Sequence, residues 1–223
     1  MNKLVKKLML VAAMLMLAAG PSFAADAIRI GLMCPLTGKW ASEGQDMQQI
    51  VSLLVSEVNK AGGINGKQIE LIVEDDAGDP RTASLAAQKL ASAGVMAVIG
   101  TYGSAVTEAS QNIIDEAEIM QIATGSTSVR LTEKGLPLFF RTCPRDDEQG
   151  RVASKVIAAK GFKKVAILHD NSAYAKGLAD EAKQRILDKK SADIVFFDAL
   201  VPGERDYSAI LTKIKGVKPD AIL

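Results

Sequence analysis

The sequence is poor in the residues that most chemistry needs. It has one histidine, which makes a multi-histidine metal site or a binuclear centre untenable. Two cysteines among 223 residues are too few for a disulfide framework. Aromatic residues make up 4%, which argues against a base-stacking platform. Neither sign of charge dominates. The 27 basic and 26 acidic residues leave +1, without the surplus of a nucleic-acid binder. Beyond the N-terminal stretch, no apolar run reaches the roughly 18 residues that suggest a membrane span. What is present is ordinary. Hydrophobic residues make up 48% and charged residues 24%, enough to build a core and to exclude disordered or collagen-like chains.

The first 24 residues read as a leader rather than as fold. Lys3, Lys6 and Lys7 precede an uninterrupted apolar run from Leu8 to Gly20, and Pro21 ends it. Ser22-Phe23-Ala24 then places small residues at the −3 and −1 positions of a cleavage site. These three parts define a secretory signal peptide over 1–24. The apolar run is too short to cross about 30 Å of hydrocarbon. Without the leader, 24 basic residues face 26 acidic ones. Export permits disulfides, so Cys34 and Cys143 either pair or stand as two buried thiols at strand ends.

The rest of the chain alternates strands and helices. Ala27–Cys34 is a short apolar strand ending at Pro35 and Gly38. Met47, Ile50, Val51, Leu54, Val55 and Val58 recur at helical spacing within 43–61, and Gly62-Gly63 stops that helix. Gln68–Glu74 is a strand, and Asp79-Pro80 opens a helix to about Ala93. Strands follow at Val95–Gly100, Ile119–Ala123 and Leu136–Cys143. A helix runs from Ser104 to Ala117, and Thr132–Gly135 is polar loop. The rhythm then restarts with helices at 146–159, 174–187 and 207–215 and strands at 164–170 and 194–200. Pro219–Leu223 opens one more strand. This alternation predicts an α/β fold of parallel sheets flanked by helices. Ending at the start of a buried strand suggests a chain truncated within its second lobe.

Motifs for catalysis fail individually. Gly62–Lys67 has the wrong spacing for a phosphate loop and precedes a strand. No G-x-G-x-x-G follows the first strand. Gly103-Ser104 and Gly125-Ser126 lack the second glycine of a nucleophile elbow. His169, the only conceivable triad base, lies on a strand end in the other half. Asp75-Asp76 has the look of a phosphoacceptor, but an exported protein meets no kinase donor. A binding site without chemistry survives. In parallel sheets ligands sit beyond the carboxyl ends of strands, here the loops 35–44, 101–104 and 125–128. Ser104 and Thr127 offer hydroxyls beside free backbone N–H groups, and Gly125 permits close approach of the backbone. The same hydroxyls could instead serve only as helix caps.

In order along the chain, Pro35-Leu36-Thr37-Gly38, Asn59–Lys67, Glu74–Pro80, Val98-Ile99-Gly100, Phe140-Arg141-Thr142, Gln149-Gly150 and Ile167–Asp170 with Tyr174 carry a resemblance. The sequence resembles the periplasmic branched-chain amino acid binding proteins of ABC transporters, of the type I periplasmic binding protein fold. The resemblance implies two α/β lobes, 25–145 and a partial 146–223, closing on a ligand like a hinge. It implies that Ser104, Gly125 and Thr127 hold the ligand carboxylate, that Tyr174 closes over it, and that Trp40 lies in the loop lining the side-chain pocket. It further implies a monomeric, non-enzymatic periplasmic receptor without metal or cofactor, serving an inner-membrane permease and binding leucine, isoleucine or valine. Rival readings are a polar amino acid, an amide, urea or an aromatic acid in the same fold, a sensory receptor, or an exported hydrolase. Two departures stand out. Gly78 and Gly103 occupy positions where some relatives carry a disulfide. Glu43 replaces an aromatic or small residue, facing either the cleft or solvent.

Overall fold

A computed structural model describes residues 27–223; the signal-peptide assignment falls outside that range. Two wholly parallel sheets organise the chain. The first contains β1 (Ile28–Cys34), β2 (Ile69–Asp75), β3 (Ala97–Ile99), β4 (Met120–Ala123) and β5 (Phe139–Arg141), in the order β2-β1-β3-β4-β5. The helices connecting them are α1 (Ala41–Lys60), α2 (Pro80–Ser92), α3 (Ser104–Glu116) and the single turn α4 (Arg130–Glu133). The second sheet contains β6 (Lys164–His169), β7 (Asp193–Ala199) and β8 (Ala221–Ile222), in the order β7-β6-β8. Its helices are α5 (Asp146–Lys160), α6 (Ala173–Asp188) and α7 (Ser208–Val217).

Each sheet has its own core. Met33 of β1 and Val98 of β3 pack with Ala86, Ala87 and Leu90 of α2 and Ile114 of α3. Small alanines on α2 let the helix lie close to the sheet. Val165 and Ile167 of β6 pack with Ile157 of α5 and with Ala179 and Ile186 of α6. Burying side chains of this size contributes about 1.5–3 kcal/mol each before the entropy of ordering is subtracted. Helix starts are written locally. Asp79 accepts hydrogen bonds from Arg81 N and Thr82 N, with Pro80 in the first turn. Ser172 accepts from Ala175 N at 3.1 Å and opens α6. Gly161 closes α5 at a φ of +73°, a left-handed conformation that glycine adopts without strain.

The sequence expectations differ from the fold at a few points. The strand expected over Leu136–Cys143 is only Phe139–Arg141, because Pro137 offers no N–H and Leu136 O is bonded back by Phe139 N in a turn. Residues 130–133 form a helical turn where polar loop was expected from Thr132. The start of α1 is Ala41, two residues before the first expected position. Both cysteines are free. Cys34 is fully buried in β1, and burial, with Asp76 and Asp75 adding to it, pushes its thiol up to about 12. Cys143 Sγ donates to Ser126 O at 3.5 Å. Gly62–Lys67 is a tight turn closed by Ile64 N to Lys67 O at 2.8 Å. Among the described residues, no helix is long and apolar enough to cross a membrane.

Candidate functional site

Strand order locates the site. In the first sheet the chain runs outward from β1 in both directions, so the loops after β1 and β3 diverge and leave a crevice at their carboxyl ends. The second sheet repeats this arrangement around β6. A cleft of 380 Å³ lies where these loops meet, lined by Lys39, Trp40, Tyr102–Ala105, Gly125, Thr127, Asp170 and Ser172–Tyr174. Both sheets contribute to it.

All five sequence-selected residues line this cleft. Ser104 is the first residue of α3 and is buried. It caps nothing: Gly103 is the N-cap and makes no side-chain cap bond, while Ser104 Oγ accepts Ser128 N at 3.2 Å. Thr127 does not cap either, because the nearest N-cap is Val129. Its buried hydroxyl has no partner among the described residues. The capping alternative therefore fails for both. Gly125 is required by crowding, since a Cβ there would lie 2.7 Å from the Tyr102 ring and 2.9 Å from its carbonyl oxygen. Tyr174, in the first turn of α6, is 45% exposed. Burial raises its phenol, and Asp146 and Tyr102 add to the shift.

The loop before α1 is held by one carboxylate. Asp75 Oδ1 accepts from Leu36 N, Thr37 N and Ala77 N, and Oδ2 accepts from Thr37 Oγ1 at 2.6 Å. Partial burial works to raise Asp75, but these four bonds prevail and leave its carboxyl below the usual range. So Asp75 organises the loop. It delivers Trp40 into a notch made by two glycines. A Cβ on Gly78 would stand 2.8 Å from Trp40 Cε3, and one on Gly103 would stand 2.6 Å from Cζ3. The positions that lack a disulfide thus hold the indole instead. Tyr102 meets the ring edge-on with centroids 5.6 Å apart, and Lys39 Nζ lies 4.1 Å from its centroid.

Electrostatics favour a carboxylate. The N-termini of α1, α3 and α6 all open at the cleft, and each carries roughly half a positive charge in unsatisfied N–H groups. Lys39 adds a cation on one wall and Asp170 an anion on the other. The hydroxyl and N–H of Ser172 hold Asp170 low against partial burial, and Lys39 across the cleft adds to this. Glu43 is not among the lining residues. Its carboxylate accepts from Ser42 Oγ at 2.8 Å in the first turn of α1. His169 lies outside the cleft lining, buried against Phe197, with Nδ1 accepting Asn171 N at 3.1 Å. Among the described residues, no cluster of histidine, cysteine or acidic groups could hold a metal.

Sequence reasoning named the loops that hold Lys39 and Tyr102 without selecting either residue, and it did not select Asp170, Ser172 or Ala173. The rule that ligands sit beyond strand ends would have found Asp170 and Ser172, which directly follow β6. Nothing in the sequence signals that Tyr102 closes over Gly125.

Two parallel sheets meeting at a shared cleft built from loops, hydroxyls and helix N-termini define a class of two-lobed binding proteins. The chain belongs to the periplasmic binding protein family, whose description matches residues 27–223. It is 39% identical over 201 residues to a Leu/Ile/Val-binding protein homolog of Brucella abortus, covering 89% of this chain and 53% of that protein. The branched-chain amino acid transporter substrate binding protein of Streptococcus pneumoniae, solved with isoleucine, superposes with a TM-score of 0.79 at 34% identity, covering 88% of this chain and 56% of that one. A solute binding protein of Rhodopseudomonas palustris, solved with 3,4-dihydroxybenzoic acid, gives 0.76 at 27% identity, covering 88% of this chain and 53% of that one. The chain thus spans about half the length of these relatives.

Proposed function

We propose that this chain is the ligand-binding part of an amino-acid receptor for an ABC importer, acting in the periplasm as a monomer and without catalysis. Its lobes are 25–145 and 146–223, and the ligand lies between them. The observation carrying this reading is the meeting of Ser104, Gly125 and Thr127 with the first turn of α6 around one cleft. The ligand carboxylate takes the N–H and hydroxyl groups of Ser104 and Thr127. Gly125 keeps the backbone close, Tyr174 closes from the second lobe, and Trp40 with Tyr102 supplies apolar surface for the side chain. Similarity to proteins named for leucine, isoleucine and valine supports that ligand class. Closure then presents both lobes to an inner-membrane permease.

A second reading is an aromatic carboxylic acid. The aromatic wall of Trp40 and Tyr102 favours it, and a relative holding 3,4-dihydroxybenzoic acid shares the fold. The experiment that separates the two is a thermal-unfolding screen of the full chain, unfolded and refolded first to strip retained ligand. Leucine, isoleucine, valine, polar amino acids and benzoic acids would be compared. A ligand at about 1,000 times its dissociation constant adds about 4 kcal/mol, several degrees in midpoint. Shifts confined to the three aliphatic amino acids support the first reading. Shifts confined to benzoic acids replace it with the second.

A further inference from the structure

The loop presenting Thr127 is irregular backbone between β4 and α4, and a neighbouring strand restrains it. Arg141, the last residue of β5, turns its guanidinium onto the loop. Nη1 donates to Ser126 O and to Ser128 O, each at 2.9 Å, and Nη2 donates to Thr132 Oγ1 at 2.9 Å. The two carbonyls bracket Thr127. In a trans peptide the C=O and N–H point in opposite directions. Fixing Ser126 O on Arg141 therefore turns the Thr127 N–H away from Arg141 and toward the cleft that Thr127 lines. That N–H donates to no other group among the described residues. Ser128 is held at both ends, its N–H by Ser104 Oγ and its C=O by Arg141.

Arginine suits this task. Its planar fork can reach two carbonyls and a hydroxyl at once, which a lysine ammonium on a flexible stem cannot do in fixed geometry. The hydrogen-bond partners of Arg141 are two carbonyls and a hydroxyl, and the residue is absent from the cleft lining.

We propose that Arg141 is a positioning residue for ligand binding. It sets the direction of the Thr127 N–H, so that a ligand carboxylate meets a preformed donor. This rests on the reading of the cleft as an amino-acid site. The test compares dissociation constants of leucine and of leucinol, in which CH₂OH replaces the carboxylate, for the full chain and its variants. In Arg141→Lys the leucine affinity should fall by about ten- to a hundredfold, the range for losing a hydrogen bond to a charged group. Leucinol affinity should change far less, so the leucine-to-leucinol ratio collapses. Thr132→Val keeps both carbonyl bonds, removes one anchor shared with Arg145, and should lower the ratio to an intermediate value. It carries the test should Arg141→Lys fail to fold. General loosening of the site would weaken both ligands equally and leave the ratio at its wild-type value, which overturns the proposal. Wild-type protein that binds no leucine overturns the reading of the cleft itself, and the proposal with it.

Discussion

Replacing Gly103 with alanine tests whether the indole notch shapes the cleft. A Cβ at Gly103 would lie 2.6 Å from Trp40 Cζ3 and 2.9 Å from Cη2. Carbon atoms prefer separations of about 3.5–4.0 Å, so the ring must retreat by roughly 1 Å. The backbone is no obstacle, because Gly103 has a φ of −95° and a ψ of 140°. Forcing extra carbon into packed surroundings costs about 1–3 kcal/mol, roughly 2–10 °C in unfolding midpoint for a chain of this size. Alanine is also a poorer N-cap than glycine, so the single cost mixes two effects. A double-mutant cycle with Trp40→Ala separates them. With the indole gone the clash is gone, and only the cap effect remains; the coupling should be about 1–3 kcal/mol. Trp40 is the single tryptophan of the sequence, so emission reports this site alone and should move to longer wavelength in Gly103→Ala as the ring is displaced. An unchanged emission maximum together with additive stabilities would show that the notch does not hold the ring.

Three further outcomes are expected. Thr127→Val should weaken leucine binding by about tenfold or more with little loss of stability, because the hydroxyl has no hydrogen-bond partner among the described residues; titration calorimetry and melting of the ligand-free chain check both. Ser104→Ala should weaken binding and also lower stability by about 1 kcal/mol, since Ser128 N loses its acceptor. Asp76 is fully buried, and burial, with help from Asp75, pushes its carboxyl up to about 6 against the pull of Gly78 N–H. The folded state therefore holds this proton more tightly than the unfolded chain does. Its contribution is complete below about pH 4 and is lost as pH rises through 6, a span of roughly 3 kcal/mol. Asp76→Asn keeps the acceptor for Gly78 and should flatten that part of the stability-against-pH curve; a curve parallel to wild type between pH 4 and 7 refutes the assignment.

Much of this molecule is legible from local patterns. Asp79-Pro80 announces α2 because capping and a fixed φ act within a few residues, and the short apolar run Ala27–Cys34 announces β1 because strand patterning is equally local. Ser104, Gly125 and Thr127 were reachable as cleft-lining residues because in parallel sheets the loops after strands form the crevice. Contacts between distant segments were not. The length of β5 depended on a turn around Pro137 that apolar patterning does not report. The notch at Trp40 needs residues 40, 78 and 103 to converge, and no window of sequence contains that fact. Arg141 reads as an ordinary strand-end residue until the loop above it is seen.

The position of β1 bears on how the chain acquires its shape. It is the first of the described strands, yet it sits inside its sheet, pairing from Ile28 to Ile69 on one side and from Ile30 to Ala97 on the other. Parallel strands cannot be joined by a tight hairpin, so neither partnership can close until long stretches of chain have followed. Closing such loops early is entropically costly, and folding dominated by distant pairings is slow. A growing chain therefore leaves β1 without its second neighbour until the residues of β3 have been made.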